Sequence, residues 1–409
     1  MSTKRTLPPT AAPISSMDLL HGFHGIASNK YPGILERELK EYFGANHVFL
    51  VSSGKAALFL ILSGLKRLTR KRKVIIPAYT CFSVPSAIRM AGLEIVLCDL
   101  KPETLDFDFS QLRELVDDDT MCVIPTHLFG IPADVSNVRE LCHDRKIFII
   151  EDAAQAMGAV SGRGKLGTSG DVAFFSLGRG KNITCGSGGI IITSVDAIAD
   201  SIRKDIAGLE SVPMIEYLKN IVEVVFMMIF LRPDFYWLPK KLPFLRIGET
   251  RFYRTFPVRT FTGFQAGLLF DWRRKLETLN RSRSANADGY IESLELSNGM
   301  QIHAGRVPYN RFPIYLGGKA SKEEFCESEN RLGISPMYPY PIHKVQEMQE
   351  HLDQRGFDGA DTISDTLVTL PTHILLREED KMRIRKAVKK VLLQEQKCEP
   401  AFRQGIGSL

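Results

Sequence analysis

Between residues 45 and 195 the chain alternates short apolar runs with helical stretches, and this alternation limits what it can fold into more than any other feature. The runs HVFLVSS, KVIIPAYT, EIVLCDL, MCVIPTHLFG, IFIIEDAA, VAFFSL and GGIIITS are rich in Val, Ile and Phe, and several end in Ser, Thr, Asp or Gly. Stretches between them, such as GKAALFLILSGLKRL and VSNVRELCHDRK, repeat apolar residues at helical spacing. The pattern predicts an α/β fold with a mainly parallel sheet flanked by helices, where ligands gather beyond the carboxyl ends of the strands. Function is therefore sought at the polar strand ends.

The remaining chain divides by texture. Residues 1–20 hold prolines and serines but no apolar core of signal-peptide length, and read as a mobile leader. Residues 21–210 form the large α/β domain, residues 211–256 a hydrophobic and aromatic insertion, and residues 257–409 a smaller α+β domain with long amphipathic helices. The seven cysteines are scattered, odd in number and without a CxxC pair. They argue against a disulfide framework and against structural zinc, and for a reducing, cytoplasmic setting; no metal site is expected. The net charge of +6 is concentrated in clusters such as Lys66–Lys73 and Lys381–Lys390. The first closes a helical run, where cations suit the negative end of the helix dipole. Neither cluster is interleaved with aromatic residues, so no nucleic-acid partner is expected.

Three strand ends supply chemistry. IFIIEDAAQAMG ends with Glu151 and Asp152, followed by Gln155, and a carboxylate behind four apolar residues must find a cationic or hydrogen-bonding partner. FLVSSGKAALFL sets Ser52, Ser53 and Gly54 before a helix, aiming free N–H groups at an anion such as phosphate. AFFSLGRGK adds Ser176 and, in a glycine-rich bend, Lys181. Each feature alone also fits a purely structural role: a helix cap, a strand-end carboxylate or a solvated lysine. Together they are the protein parts that a pyridoxal 5'-phosphate (PLP) site requires. A lysine can attack an aldehyde only when deprotonated, which partial desolvation and a neighbouring cation such as Arg179 would favour.

The ordered run PGILERELKEYFGANHVFLVSSGKAAL, VIIPAYTCFSVPSAIRMAGLEIVLCDLKPETLDFD, VIPTHLFGIPADV, IIEDAAQAMGA, FFSLGRGKNITCGSGGIIIT and LPTHILLREEDKMRI resembles the DegT/DnrJ/StrS family of PLP-dependent sugar-nucleotide aminotransferases. The resemblance implies the aspartate aminotransferase-like fold of type I. It implies Lys181 as the Schiff-base lysine, Asp152 as partner of the pyridine nitrogen, Gln155 near the cofactor hydroxyl, and Gly54 with Ser176 at the phosphate. It further implies conversion of a keto sugar nucleotide to an amino-deoxy sugar nucleotide, with glutamate as amino donor, by a homodimer with shared active sites. Polysaccharide or glycoconjugate biosynthesis would use the product.

Three positions depart from the family pattern. Lys55 stands where Thr usually follows the phosphate-loop glycine, and could serve phosphate as a point charge beside Ser53. Cys81 aligns with the position that usually stacks on the cofactor ring, leaving Phe82 or Tyr79 to substitute. Arg259 lies where an Asn commonly reaches the partner's phosphate. His343, in PMYPYPIH, would lie near the substrate entrance, and His127, in PTHLFG, ends a strand facing the expected site; each has a structural reading beside the functional one.

Within the insertion, Ile221 to Ile247 combines an apolar run broken only by Glu223, the aromatics Phe235, Tyr236 and Trp237, and the cations Arg232, Lys240, Lys241 and Arg246. The run is shorter than the ~20 residues that span a bilayer. Either the protein core or a dimer partner covers it, or it makes peripheral contact with a membrane interface at the inner face. Two other functions remain open at this stage. A sugar dehydratase of the same fold is disfavoured by Lys181, because the related dehydratases lack that lysine. A catalytically altered PLP-fold protein acting as a regulatory or membrane-associated scaffold is compatible with the three departures.

Overall fold

The computed structural model describes residues 5–28, 30–240, 250–294, 307–351 and 355–403. Seven strands form the main sheet: β1 (His47–Val51), β2 (Lys73–Pro77), β3 (Glu94–Cys98), β4 (Thr120–Val123), β5 (Phe148–Asp152), β6 (Val172–Ser176) and β7 (Gly189–Thr193). Their order across the sheet is β1-β7-β6-β5-β4-β2-β3. Only β7 runs against its neighbours, pairing antiparallel with both β1 and β6. Every residue of β4 and β7 is buried, as expected of strands covered by helices on both faces.

The helix Gly54–Leu68 is capped by Ser53, whose hydroxyl accepts the Ala56 N–H at 3.1 Å. Its terminal cations are not left to solvent. Lys66 donates to the Ala91 carbonyl at 2.6 Å, and Arg67 pairs with Asp205 at 2.8 Å. The small domain pairs β8 (Phe312–Tyr315) antiparallel with β9 (Leu367–Leu370).

Packing redraws two of the expected boundaries. The leader is seated from Arg5 onward: Leu7, Ala11, Ala12 and Ile14 are buried, and Arg5 pairs with Asp380 at 2.8 Å. Its prolines and serines suggested mobility, but four small or apolar side chains between them fill the core. Nor does the small domain begin at 257. Thr260 bridges Val51, and Phe264, Leu268, Trp272 and Leu276 join the core formed by Leu50, Phe175 and Ile192 beside the main sheet. The large domain thus extends into the helix Trp272–Leu294, and the small sheet starts only at Phe312.

In the insertion, the helix Met214–Phe230 buries Val224 and Met227, while Met214, Ile215, Leu218 and Val222 are exposed. Residues 241–249, with Lys241, Arg246 and Ile247, lie outside the described residues. Among the described residues no helix is long and apolar enough to cross a membrane.

One buried histidine ties the leader to the small domain: His373 donates from Nε2 to the Pro8 carbonyl at 2.9 Å. Burial pulls its pKa down from 6.5 to about 4. The unfolded chain regains the ordinary value, so between those pH values it binds a proton that the folded chain refuses. This contribution is intact above pH 6.5 and is lost as pH falls toward 4, by about 3 kcal/mol in total. Urea unfolding across this range should show the decline, and His373→Gln, which retains a donor for Pro8, should flatten it.

Candidate active site

Strand register assembles the site. Gly189 of β7 stands opposite both Val51 of β1 and Ser176 of β6. A side chain at Gly189 would place its Cβ 2.3 Å from the Ser53 carbonyl oxygen, so only glycine admits this approach. Gly54 is constrained less severely, since a Cβ there would lie 3.0 Å from Ser176 Cβ. Ser53, Gly54 and Ser176 therefore meet at the amino end of the 15-residue helix Gly54–Leu68, where N–H groups and the helix dipole favour an anion.

Asp152 ends β5 on the same edge of the sheet, 5% exposed, with Oδ1 accepting the Ala154 N–H at 3.0 Å. Burial pushes its pKa up, against the Ala154 hydrogen bond and the charges of Lys181 and His127. Lys181 keeps part of its surface open, yet its ammonium lies deep enough for burial to pull its pKa down. Cys81 and Asp152 oppose that shift, and Arg311 adds to it. The cation acting on Lys181 is thus Arg311 rather than Arg179, which the sequence had offered. Lys181 Nζ forms no hydrogen bond or ion pair among the described residues.

The bend carrying Lys181 is held by its backbone. Arg283, fully buried, donates to the carbonyls of Asn182 at 2.8 Å, Lys181 at 3.1 Å and Ala11 at 3.3 Å. Asn310 donates to the Gly180 carbonyl at 2.8 Å. Sequence reading missed both residues, because they lie about 100 and 130 positions from their targets. The only local signal was the polar pair Asn310 and Arg311 ahead of an apolar strand.

The other candidates separate. Gln155 accepts the Phe129 N–H at 3.2 Å and donates to Tyr338 Oη at 3.0 Å, behind Asp152. Lys55 lies under two aromatic rings, 4.3 Å from the Tyr253 centroid and 5.0 Å from that of Phe256, and burial lowers its pKa. Cys81 is partly exposed and lies near both Lys55 and Lys181. Phe82 and Tyr79 do not take over a stacking position: both are buried, packed against Tyr338.

His127 commits both nitrogens, Nε2 to Glu151 at 2.8 Å and Nδ1 to the Ala133 N–H at 3.0 Å. Glu151 also accepts N–H groups from Gly167, Ser169 and Gly170, so this pair ties the loop after β4 to the loop before β6. Arg259 pairs with Glu210, and its backbone brackets Ser52. His343 stacks on Phe357 and pairs with Asp361 at 3.2 Å in the small domain. None of these three side chains bonds Lys181, although the His127 N–H donates to the Asp152 carbonyl at 3.0 Å and the Arg259 N–H to Ser52 Oγ at 3.0 Å. A cavity of about 700 Å³ beyond His127 is lined by Asp106, Asp134 and Arg163, but its carboxylates are satisfied by backbone N–H groups and cations.

The strand order, the single reversed strand and the lysine at the carboxyl edge define a class: the aspartate aminotransferase-like, type I fold of PLP-dependent transferases. Within that class, residues 25–220 match the model of the DegT/DnrJ/EryC1/StrS aminotransferase family. The chain is 34% identical over 172 residues to a GDP-perosamine synthase of Vibrio cholerae, covering 42% of this chain and 46% of that enzyme. The chain thus aligns with less than half the length of that relative. Over 366 residues, 88% of each chain, it is 25% identical to a UDP-N-acetyl-3-dehydro-alpha-D-glucosamine 3-aminotransferase of Acidithiobacillus ferrooxidans. The Helicobacter pylori aminotransferase involved in pseudoaminic acid biosynthesis superposes with a TM-score of 0.76 at 17% identity, covering 94% of this chain and 99% of that one.

The close approach at Gly189 gives a direct test. Gly189→Ala should destabilise the protein by about 2 to 3 kcal/mol through overpacking against backbone. Gly33→Ala, in the helix Lys30–Phe43 with nothing within 4 Å, should be neutral or stabilising by up to about 1 kcal/mol. Denaturant unfolding of both variants measures the contrast.

Proposed function

We propose that this protein is a PLP-dependent aminotransferase that converts a keto sugar nucleotide into an amino-deoxy sugar nucleotide, with glutamate as amino donor, for polysaccharide or glycoconjugate biosynthesis. The observation that carries the reading is the meeting of an anion cradle, a buried carboxylate and an unpaired lysine on one edge of the sheet. The residues fit the cofactor. Ser53, Gly54 and Ser176 would hold its phosphate, with Lys55 as a nearby cation. Asp152, buried with a raised pKa, lacks the counter-charge that a protonated ring nitrogen would bring. Lys181, its pKa lowered by burial, gives up its proton more readily, and the neutral amine is the form that bonds an aldehyde.

When bound, the cofactor supplies an electron-withdrawing ring that makes the carbon bearing the transferred amino group acidic. Lys181, once displaced by the incoming amine, is a base placed to take the proton from that carbon and return it on the other side of the exchange. Arg283 and Asn310 fix the bend so that the amine swings while its backbone stays in place. The sugar-nucleotide substrate class is supported by the relatives named for such activities. A scaffold reading draws on the aromatic cover over Lys55 and on Cys81 in the stacking position.

The first test is the visible spectrum of purified protein with added PLP. Wild type should form a stable band, with borohydride fixing the adduct on Lys181, and Lys181→Ala should show neither. Absence of the band in wild type would favour the scaffold.

The proposal extends to a homodimer in the cytoplasm. The cysteines among the described residues are all free, in keeping with a reducing compartment. Met17, Leu20 and Phe23 on one helix and Ile215, Leu218 and Val222 on another are exposed, while Phe23 and Tyr217 both meet the ring of Phe264. A second copy would cover these faces. Sedimentation should report a dimer that Leu218→Asp with Val222→Asp weakens; a monomer that floats with anionic vesicles would instead support peripheral membrane contact.

A further inference from the structure

We propose that the Thr126 hydroxyl positions the Asp152 carboxylate, donating a hydrogen bond to it when a protonated ring nitrogen is seated there. The role rests on the transaminase reading above and adds to it the residue that orients its buried carboxylate. Thr126 lies three residues beyond β4 and pairs in parallel with Asp152. Two backbone bonds close this pairing: the Asp152 N–H donates to the Pro125 carbonyl at 2.9 Å, and the His127 N–H to the Asp152 carbonyl at 3.0 Å. Residues paired across adjacent strands lie about 4.8 Å apart and carry their side chains on the same face. Their chain neighbours obey the same alternation, since His127 and Glu151 meet on the other face at 2.8 Å. Thr126 and Asp152 therefore stand side by side on the face opposite that pair.

On the other flank of Asp152 the paired residue is Phe174, which offers no donor. Oδ1 of Asp152 accepts the Ala154 N–H at 3.0 Å, and its second oxygen has no hydrogen bond among the described residues. The Thr126 hydroxyl oxygen is buried and has no partner among them either, while the Thr126 carbonyl is already taken by the Leu128 N–H at 2.9 Å. A valine would fill the same volume without the hydroxyl, and after a run as apolar as MCVIP it would be the less costly residue. The hydroxyl therefore has a use that packing does not supply. An ionised carboxylate presents about four lone-pair sites, so the Ala154 N–H, the Thr126 O–H and a ring N–H can be accepted together. Two donors from the protein would fix the plane of the carboxyl group and favour its charged form against the burial that raises its pKa. Thr126 acts through Asp152 and touches none of the reacting atoms.

The test compares the full chain alone with the full chain titrated by pyridoxamine 5'-phosphate, which needs no bond to Lys181 and so reports the pocket itself. Without ligand, Thr126→Val should leave the urea midpoint unchanged or raise it, because an unpaired buried hydroxyl is removed. Its affinity for pyridoxamine 5'-phosphate should fall about 10-fold, the loss of one hydrogen bond to a charged group. Thr126→Ser, which keeps the hydroxyl, should recover most of that loss. In an Asp152→Asn background Thr126→Val should change the affinity by less than about twofold, since the carboxylate it serves is gone. Three results would each overturn the proposal: a lowered urea midpoint without ligand, which would give the hydroxyl to the fold; an unchanged affinity in Thr126→Val; or an equal loss in the Asp152→Asn background, which would mean direct contact with the ligand. Failure of the wild type to bind pyridoxamine 5'-phosphate is seen before any variant is compared, and would instead overturn the transaminase reading.

Discussion

Everything at the site depends on one register: Gly189 of the reversed strand β7 set between Val51 and Ser176. Because β7 runs between them and against both, it ties the first strand of the sheet to the sixth and sets two chain segments more than 120 residues apart on either side of one backbone. A shift by one residue would turn every side chain of a buried strand to the wrong face and take Gly54 away from Ser176. The phosphate cradle is thus a property of sheet pairing, and the helix that opens at Gly54 inherits its direction from β1.

Around that frame, charge is distributed unevenly. Glu151 and His127 satisfy each other and the neighbouring backbone, and Arg5, Arg67 and Arg259 have carboxylate partners. Asp152, Lys181 and Arg311 do not: the first two have pKa values moved toward neutrality by burial, and the third has a lone hydroxyl. Apart from Arg283, which rests on backbone carbonyls, these structural ionic groups are paired while Asp152 and Lys181 are left open, a distribution expected where ligands complete the electrostatics.

The alternating pattern of residues 45–195 made the sheet legible, because strand and helix periods are local. Lys181, Asp152, Gly54 and Ser176 were legible for the same reason: strand ends mark the edge where they meet. Arg311, Arg283 and Asn310 were not, since their partners lie far along the chain and nothing in a short window predicts the crossing. Arg179 was the nearest cation in sequence to Lys181, whereas Arg311 is the one that acts on it in space. Cys81 shows another limit. The sequence left Tyr79 and Phe82 free to cover the ring, but Tyr338, about 260 positions on, claims both for the core.

The seating of the first described residues has a consequence for how the molecule comes into being. Thr10 touches the bend that carries Lys181 and Ala11 shares Arg283 with it, while Arg5 and Pro8 are held by Asp380 and His373. The segment from Arg5 to Ala11 can therefore reach its place only after Asp380, 375 positions further along, has been made. Such distant closure is entropically slow. A nascent chain could complete its sheet long before this strap closes, so the lysine bend would set after the sheet, and a chain stopped short of Asp380 would have a sheet without a finished site.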